Sequence, residues 1–245
     1  MHTGQRPIEK GARSFGLTIV GKLEARLLVV FLVVVGLALA FGHIVEEMLE
    51  GDSDAFDRIL LLAFRNPTDL SDPIGPPWVE ELVRDVTALG SFAVLSLITF
   101  SLVFYLLLIR YRAAAMWVTA SIAGGLVLDN LLKLGFERPR QDIVPAVARV
   151  FTTSFPSGHA MEAAVVYLTV GLLLADLHPS KLLRAYFLSL AIALTIAVGT
   201  SRVYLGLHYP TDVLAGWCVG AAWALICWGV AQWLQRGSIP PREAA

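Results

Sequence analysis

The sequence predicts an all-α protein, an integral membrane bundle of about six transmembrane helices. Of its 245 residues, 56% are hydrophobic and only 16% are charged, whereas a soluble domain carries about 25% charged residues. The hydrophobic residues form long blocks with few charges, and a helix needs about 20 such residues to cross a membrane. Only helices and closed barrels satisfy backbone polar groups in lipid, and these blocks are too long for barrel strands.

Six apolar blocks give the expected helices in chain order. Their approximate limits are residues 27–45, 87–109, 113–132, 160–177, 183–200 and 213–234. These limits divide the chain into a cytoplasmic N-terminal arm (residues 1–26), a six-helix membrane domain (residues 27–234) and a cytoplasmic C-terminal tail (residues 235–245). Between the first two helices, a short amphipathic helix is expected at residues 56–64, before a proline-rich turn at residues 72–77. The first block is too long for a signal-peptide core, which favours an uncleaved anchor.

The distribution of lysine and arginine predicts the orientation in the membrane. Outside the motifs described below, basic residues cluster in four segments: the N-terminal arm, the connections after the second and fourth helices, and the C-terminal tail. With six spans these four segments share one face, which the positive-inside rule assigns to the cytoplasm. Two loops on the opposite face are also basic, so their cations need a reason other than topology.

Charge and cysteine content exclude some alternatives. The net charge of −1 gives no support for nucleic acid as a partner. Cys218 and Cys227 both lie in the last apolar block, and two residues so far apart on one helix cannot form a disulfide. We expect both to be packing or lipid-facing residues.

Three short polar segments lie at the non-cytoplasmic ends of the expected helices, where they can converge. They are residues 133–140 (KLGFERPR), 155–160 (FPSGHA) and 201–212 (SRVYLGLHYPTD). The arginines offer planar forks that match phosphate oxygens. Ser157 and Gly158 precede the fourth helix, whose N–H groups and dipole favour an anion. The set predicts a pocket for a phosphoryl group in transfer.

Two histidines lie within reach of this expected pocket. Asp212 follows His208 by four residues, so it can hydrogen-bond one ring nitrogen and leave the other as a nucleophile. His159 can then protonate the leaving oxygen. Each residue alone has an ordinary alternative: basic residues at helix ends anchor them, a serine caps a helix, and Asp212 can cap the sixth helix beside Pro210. Their joint occurrence favours catalysis.

The three segments resemble the signature of the type-2 phosphatidic acid phosphatase superfamily. That signature is Lys, six residues, Arg-Pro; then Pro-Ser-Gly-His; then Ser-Arg, five residues, His, three residues, Asp. The second and third blocks match at Pro156, Ser157, Gly158, His159, Ser201, Arg202, His208 and Asp212.

The first block departs from the signature. Lys133 and Arg140 have the expected spacing, but Gln141 replaces the proline. Arg138 and Pro139 supply the Arg-Pro pair, but they lie too close to Lys133. We take Arg140 as the candidate, because distance to the phosphate should matter more than the following ring, and Arg138 stays as the alternative.

The resemblance implies a metal-independent lipid phosphatase without cofactors. His208 would attack phosphorus and become phosphorylated, Asp212 would orient it, and His159 would act as acid and then as base. The phosphoryl oxygens would be held by Lys133, Arg140, Ser157, Gly158 and Arg202. The implied location is the bacterial inner membrane, with the site on the outer face and both termini cytoplasmic. The sequence does not indicate an oligomeric state.

The family acts on several lipid phosphates. Undecaprenyl diphosphate and phosphatidylglycerol phosphate rank first as expected substrates, and phosphatidic acid and lipid A phosphate are the others. A serine hydrolase that uses Ser157 as nucleophile is disfavoured, because the sequence around Ser157 lacks the Gly-x-Ser-x-Gly elbow. A vanadate-dependent haloperoxidase shares the motifs but is soluble. A non-catalytic transporter or scaffold with a phosphate site is disfavoured because both histidines and Asp212 are present.

Overall fold

The computed structural model describes residues 8–136, 138, 144 and 153–235, with side chains of the first helix described from Glu24 onward. Within these ranges the chain forms helices and one two-stranded sheet. In order they are α1 (Ile8–Glu50), α2 (Asp54–Ala63), β1 (Arg65–Asn66), β2 (Asp69–Pro73), α3 (Pro77–Ala88), α4 (Phe92–Leu108), α5 (Arg112–Gly135), α6 (Gly158–Leu177), α7 (Lys181–Tyr204) and α8 (Pro210–Gln235). The expected helical membrane fold is confirmed.

Five described helices are long and apolar enough to cross a membrane, namely α1, α5, α6, α7 and α8. The pair α3 and α4 makes a sixth span if it is counted as one, and it is bent by 47°. The straight second helix expected at residues 87–109 is therefore wrong in its first turn. Ser91 starts α4 by accepting a hydrogen bond from the Val94 N–H at 3.3 Å. A Cβ on Gly90 would lie 2.4 Å from Val198 Cγ1, so α7 packs closely at the break.

Helix α6 forms the centre of the bundle. In its most apolar stretch 61% of the residues are buried, against 0% for α1. It packs on α5, α7 and α8, and small residues permit the closest approach. A Cβ on Gly216 would lie 2.8 Å from the Ser157 carbonyl oxygen, and one on Gly220 would lie 2.5 Å from that of Met161. These two glycines hold α8 directly against the first turn of α6.

The segment between α1 and α4 contains the expected amphipathic helix, α2, but also a hairpin that the sequence analysis did not anticipate. Strands β1 and β2 are antiparallel, with Asn66 opposite Asp69. The connecting turn contains Pro67, which suits the first turn position. The side-chain oxygen of Asn66 accepts the Thr68 N–H at 3.1 Å and closes the turn. Local polar residues thus form a turn where hydropathy shows only a loop.

The hairpin is fastened to the end of α7. Arg65 Nη2 donates to the Tyr204 carbonyl at 3.0 Å, and the Tyr204 hydroxyl donates to the Ile74 carbonyl at 2.8 Å. Burial lowers the pKa of Arg65, and the electrostatic effects of Tyr204, Glu80 and Asp72 oppose that shift. Gly206 has φ +67°, and a Cβ there would lie 2.5 Å from Arg65 Nη2. The connection between α7 and α8 is therefore held against the hairpin.

Candidate active site

The structure brings the three polar segments together. The Ser157 N–H donates to the Asp212 carbonyl at 3.0 Å, which joins the second segment to the third. Arg138 Nη1 donates to Asp212 Oδ1 at 2.7 Å, which joins the first to the third. Lys133 Nζ lies 2.4 Å from where a Cβ on Gly158 would be, which joins the first to the second. The expected convergence at one end of the bundle is observed.

His208 and Asp212 face each other in the buried part of this site. His208 Nδ1 lies 3.4 Å from Asp212 Oδ2, and the two residues are 3% and 0% exposed. The same oxygen accepts the Tyr209 N–H at 3.1 Å and the Ser154 hydroxyl. Asp212 lies in the first turn of α8. Its side chain caps that helix through the Tyr209 N–H and contacts His208 at the same time. The two interpretations of Asp212 are compatible.

The N-terminus of α6 is the candidate anion-binding side of the site. Lys133 Nζ donates to Asp129 Oδ2 at 2.6 Å, and Asp129 is buried. Ser157 is fully buried, and its hydroxyl has no hydrogen-bond partner among the described residues. A buried polar group left unpaired costs about 1–3 kcal/mol. A ligand oxygen at this helix end would accept the hydroxyl and meet the positive end of the helix dipole.

His159 and Arg202 occupy the same end of the bundle. His159 is the second residue of α6 and is half-buried. Helix α7 continues beyond the expected limit near Thr200, so Ser201 and Arg202 are helical residues. The Ser201 hydroxyl donates to the Val198 carbonyl at 2.5 Å, which satisfies it inside the helix. Arg202 is 6% exposed, and its Nη1 donates to Thr87 Oγ1 at 3.3 Å.

Of the two arginines in the first segment, the structure describes Arg138 and not Arg140. Arg140, the candidate chosen by spacing, lies outside the described residues. Arg138 donates from Nη1 to Thr211 Oγ1 at 2.8 Å and from Nη2 to Asp57 Oδ2 at 2.8 Å, besides its bond to Asp212. Burial would lower the pKa of Arg138, but the Asp212 and Asp57 carboxylates outweigh it and raise that pKa. Both of its terminal nitrogens are thus committed to the protein.

Three further residues of the site were missed by the sequence analysis. Asp129 precedes Lys133 by four residues on one helix. Opposite charges at this spacing form ion pairs, so the spacing could have identified Asp129 as a partner of Lys133. Ser154 lies just before the second motif and gave no separate signal. Asp57 accepts the Thr211 N–H at 2.9 Å across 154 residues of sequence, a contact that no local pattern contains.

An apolar cleft adjoins the site. It has a volume of about 230 Å³ and lies between α4, α5 and α6. Its lining includes Phe92, Leu95, Phe100, Ile122, Leu126 and Val165. Glu162 lies on its wall one turn after Gly158, within electrostatic reach of Asp129 and Lys133. Through Glu162, the wall of the cleft reaches the beginning of α6, where the second motif segment lies.

Among the residues whose positions are described, no three His, Cys, Asp or Glu side chains form a group that could hold a metal ion. Metal independence stays a prediction for experiment. Cys218 and Cys227 are both free thiols, as expected from their spacing.

A membrane phosphatase is the class of protein that this helical bundle and its polar end define. Residues 114–236 match the family model of the PAP2 superfamily, and the chain belongs to that superfamily. It is a phosphoric monoester hydrolase acting on lipid phosphates.

Named relatives and a solved structure agree with this family. The chain is 35% identical over 159 residues to phosphatidylglycerophosphatase B of Bacillus subtilis, covering 60% of this chain and 72% of that relative. It is 32% identical over 190 residues to lipid A 1-phosphatase of Rhizobium etli, covering 68% and 76%. The crystal structure of a transmembrane PAP2-type phosphatidylglycerolphosphate phosphatase from Bacillus subtilis superposes with a TM-score of 0.70 at 26% identity, covering 86% and 98%.

Proposed function

We propose that this lipid phosphatase hydrolyses phosphatidylglycerol phosphate through a phosphohistidine on His208. The observation that carries the proposal is the buried Ser157 hydroxyl, which has no hydrogen-bond partner among the described residues. It lies at the N-terminus of α6 beside Gly158, against which Lys133 Nζ packs. The backbone of the same serine is bonded to Asp212, the partner of His208. An anion site is thus coupled to a nucleophile.

In the first step, His208 attacks phosphorus. Its Nδ1 faces Asp212 Oδ2, so we assign the ring proton to Nδ1 and the lone pair to Nε2. A bond forms between Nε2 and phosphorus, and the bond from phosphorus to the lipid oxygen breaks. His159 gives its proton to that oxygen. The phosphoryl oxygens are held by Lys133, Arg140, Ser157, Gly158 and Arg202.

In the second step, water replaces the histidine. His159, now neutral, takes a proton from the water as its oxygen attacks phosphorus. The bond between phosphorus and Nε2 breaks, and inorganic phosphate leaves. Both residues return to their starting protonation states, so no cofactor or metal is required by the balance of the reaction.

Arg140 is proposed as the phosphate ligand rather than Arg138. The geometry of Arg138 supports this choice, because its Nη1 and Nη2 already donate to Asp212, Thr211 and Asp57. Turning either nitrogen to a substrate would leave a fully buried carboxylate without its cation, which is costly.

The similarity to a phosphatidylglycerophosphatase and to a solved structure of that activity supports phosphatidylglycerol phosphate as the first substrate. The apolar cleft between α4, α5 and α6, whose wall includes Glu162 near the beginning of α6, supports a lipid with its chain inside the bilayer. Undecaprenyl diphosphate, phosphatidic acid and lipid A phosphate are the comparison substrates. We also propose that the site faces outward from a bacterial inner membrane, with both termini in the cytoplasm.

Release of inorganic phosphate from a panel of these four lipids tests the proposal. The protein is purified in detergent, kcat/KM is compared between lipids, and the panel is repeated with EDTA. We expect the largest kcat/KM for phosphatidylglycerol phosphate and no effect of EDTA. A greater kcat/KM for undecaprenyl diphosphate would overturn the substrate choice. Failure to release phosphate from any lipid would favour the transporter or scaffold.

A further inference from the structure

Helix α2 contributes a carboxylate that lies outside all three motif segments. Asp57 is 0% exposed. Its Oδ1 accepts the Thr211 N–H at 2.9 Å, and its Oδ2 accepts the Thr211 hydroxyl at 2.6 Å and Arg138 Nη2 at 2.8 Å. A carboxylate is buried at a cost unless it is paired and hydrogen-bonded. These three donors satisfy it, and all come from residues next to Asp212 in space or in sequence.

The position of Asp57 follows from the packing of α2. Leu61, one turn later on the same face, is also fully buried. It packs with Ala160 of α6, Val203 of α7 and Val213 of α8. The apolar contact fixes the helix at the meeting point of the three site-bearing helices. Asp57 is thereby held over the first turn of α8.

Arg138 lies between two carboxylates. Its Nη1 donates to Asp212 Oδ1 at 2.7 Å, while its Nη2 donates to Asp57. Its guanidinium also lies 4.1 Å from the centre of the Tyr209 ring. Because Oδ1 of Asp212 is bound to the arginine, Oδ2 is the oxygen that faces His208 Nδ1. The rotation of the Asp212 carboxylate is thus set by an arginine that Asp57 anchors.

On the basis of the proposed function, we propose that Asp57 is a positioning residue for the phosphatase reaction, fixing Arg138 and the first turn of α8 so that Asp212 orients His208. Asp57 contacts none of the residues assigned to the phosphoryl oxygens in the described contacts. It acts through Arg138 and Thr211. The segment between α1 and α4 then contributes to catalysis and does more than connect two spans.

The test compares Asp57→Asn with Asp54→Asn, an equivalent change at an exposed position of the same helix. For Asp57→Asn we expect kcat to fall about 10- to 100-fold, by analogy with the loss of a residue that orients a metal ligand through a hydrogen bond. KM should be unchanged, and orthovanadate should raise the temperature of thermal unfolding as much as in the wild type. Both expectations follow because the residues proposed to bind phosphate remain. Asp54→Asn should match the wild type.

Three further variants make the test specific. Asp57→Glu keeps the charge and should recover part of the lost kcat. Combining Asp57→Asn with Arg138→Gln should cost no more than the worse single change, because both break the same chain of contacts. If Asp57→Asn does not fold, Thr211→Val removes one hydrogen bond to the carboxylate and should lower kcat at constant KM.

Unchanged kcat in folded Asp57→Asn would overturn the positioning role, as would unchanged kcat in Thr211→Val. So would strictly additive losses in the double variant, or a raised KM with kcat retained. Failure of the proposed function looks different: the wild type and Asp54→Asn would then release no phosphate from any lipid.

Discussion

At the residue scale, the proposed nucleophile is the nitrogen of His208 that points away from Asp212. His208→Ala should lower turnover by about 10⁴-fold or more, as for other enzymes that lose a nucleophile. Brief incubation with a lipid radiolabelled at its phosphate should label the wild type with an acid-labile, base-stable phosphoryl group. The variant should bind no label, although its fold is intact by size-exclusion elution. A label retained in His208→Ala would place the intermediate elsewhere.

His159 gives a second prediction at this scale, because its proposed task depends on the leaving group. His159→Ala should lower kcat for a lipid phosphate by about 10²–10⁴-fold, the usual contribution of a general acid. For nitrophenyl phosphate the loss in the phosphorylation step should be much smaller, since nitrophenolate leaves without a proton. Single-turnover measurements isolate that step. Equal losses on both substrates would contradict the role as an acid.

At the scale of helices, the close contact between α6 and α8 should determine the stability of the bundle and the position of Ser157. A methyl group on Gly216 would lie 2.8 Å from the Ser157 carbonyl and 3.1 Å from the Met161 nitrogen, both backbone atoms that cannot move aside alone. Gly216→Ala should therefore destabilise the bundle by about 1–3 kcal/mol through overpacking, and activity should fall because Ser157 shifts. Thermal unfolding in detergent measures the effect.

Gly42→Ala is the matched control, because a methyl group there meets nothing within 4 Å. Alanine is the better helix former by up to about 1 kcal/mol, so this variant should be as stable as the wild type or slightly more stable. Equal destabilisation by both changes would show that the close approach of α8 to α6 is unimportant.

The cleft between α4, α5 and α6 makes a separate prediction. Ala123 lines it and is exposed, so Ala123→Phe should partly fill it. We expect a higher KM for a lipid phosphate and unchanged kinetics with nitrophenyl phosphate, which has no chain to accommodate. Ala38→Phe, at an exposed position of α1, is the control and should leave both unchanged. A KM increase shared by both substrates would indicate damage to the phosphate pocket.

At the scale of the whole molecule, the number of spans decides the orientation. If α3 and α4 form one bent span, the β1–β2 hairpin and the connection between α6 and α7 lie on opposite faces. In a protein with Cys218 and Cys227 replaced by alanine, Asp69→Cys should react with an impermeant maleimide added outside intact cells. Ser180→Cys should react only after the membrane is opened. Labelling of both from outside would rule out the six-span arrangement.

Hydropathy predicted most of the helices of the bundle but not the side-chain contacts that hold their ends together. Long apolar blocks locate spans, and motif order places Lys133, Ser157 and His208 at one end. The break at Gly90 depends on the approach of Val198 from another helix, which an apolar count does not register. Asp57 likewise looks like an ordinary acidic residue in the first turn of α2. Only its packing beside Arg138 shows that it belongs to the site.

The apolar lining of the cleft between α4, α5 and α6 determines how substrate concentration should be measured. A lipid whose chain enters the cleft between α4, α5 and α6 should arrive by diffusion within the bilayer plane, because membrane-spanning helices line the cleft. The rate should therefore follow the mole fraction of substrate in the surface, not its molarity in the suspension. Diluting the substrate with inert lipid at constant molarity should slow turnover, and diluting the vesicles with buffer should leave turnover per enzyme molecule unchanged.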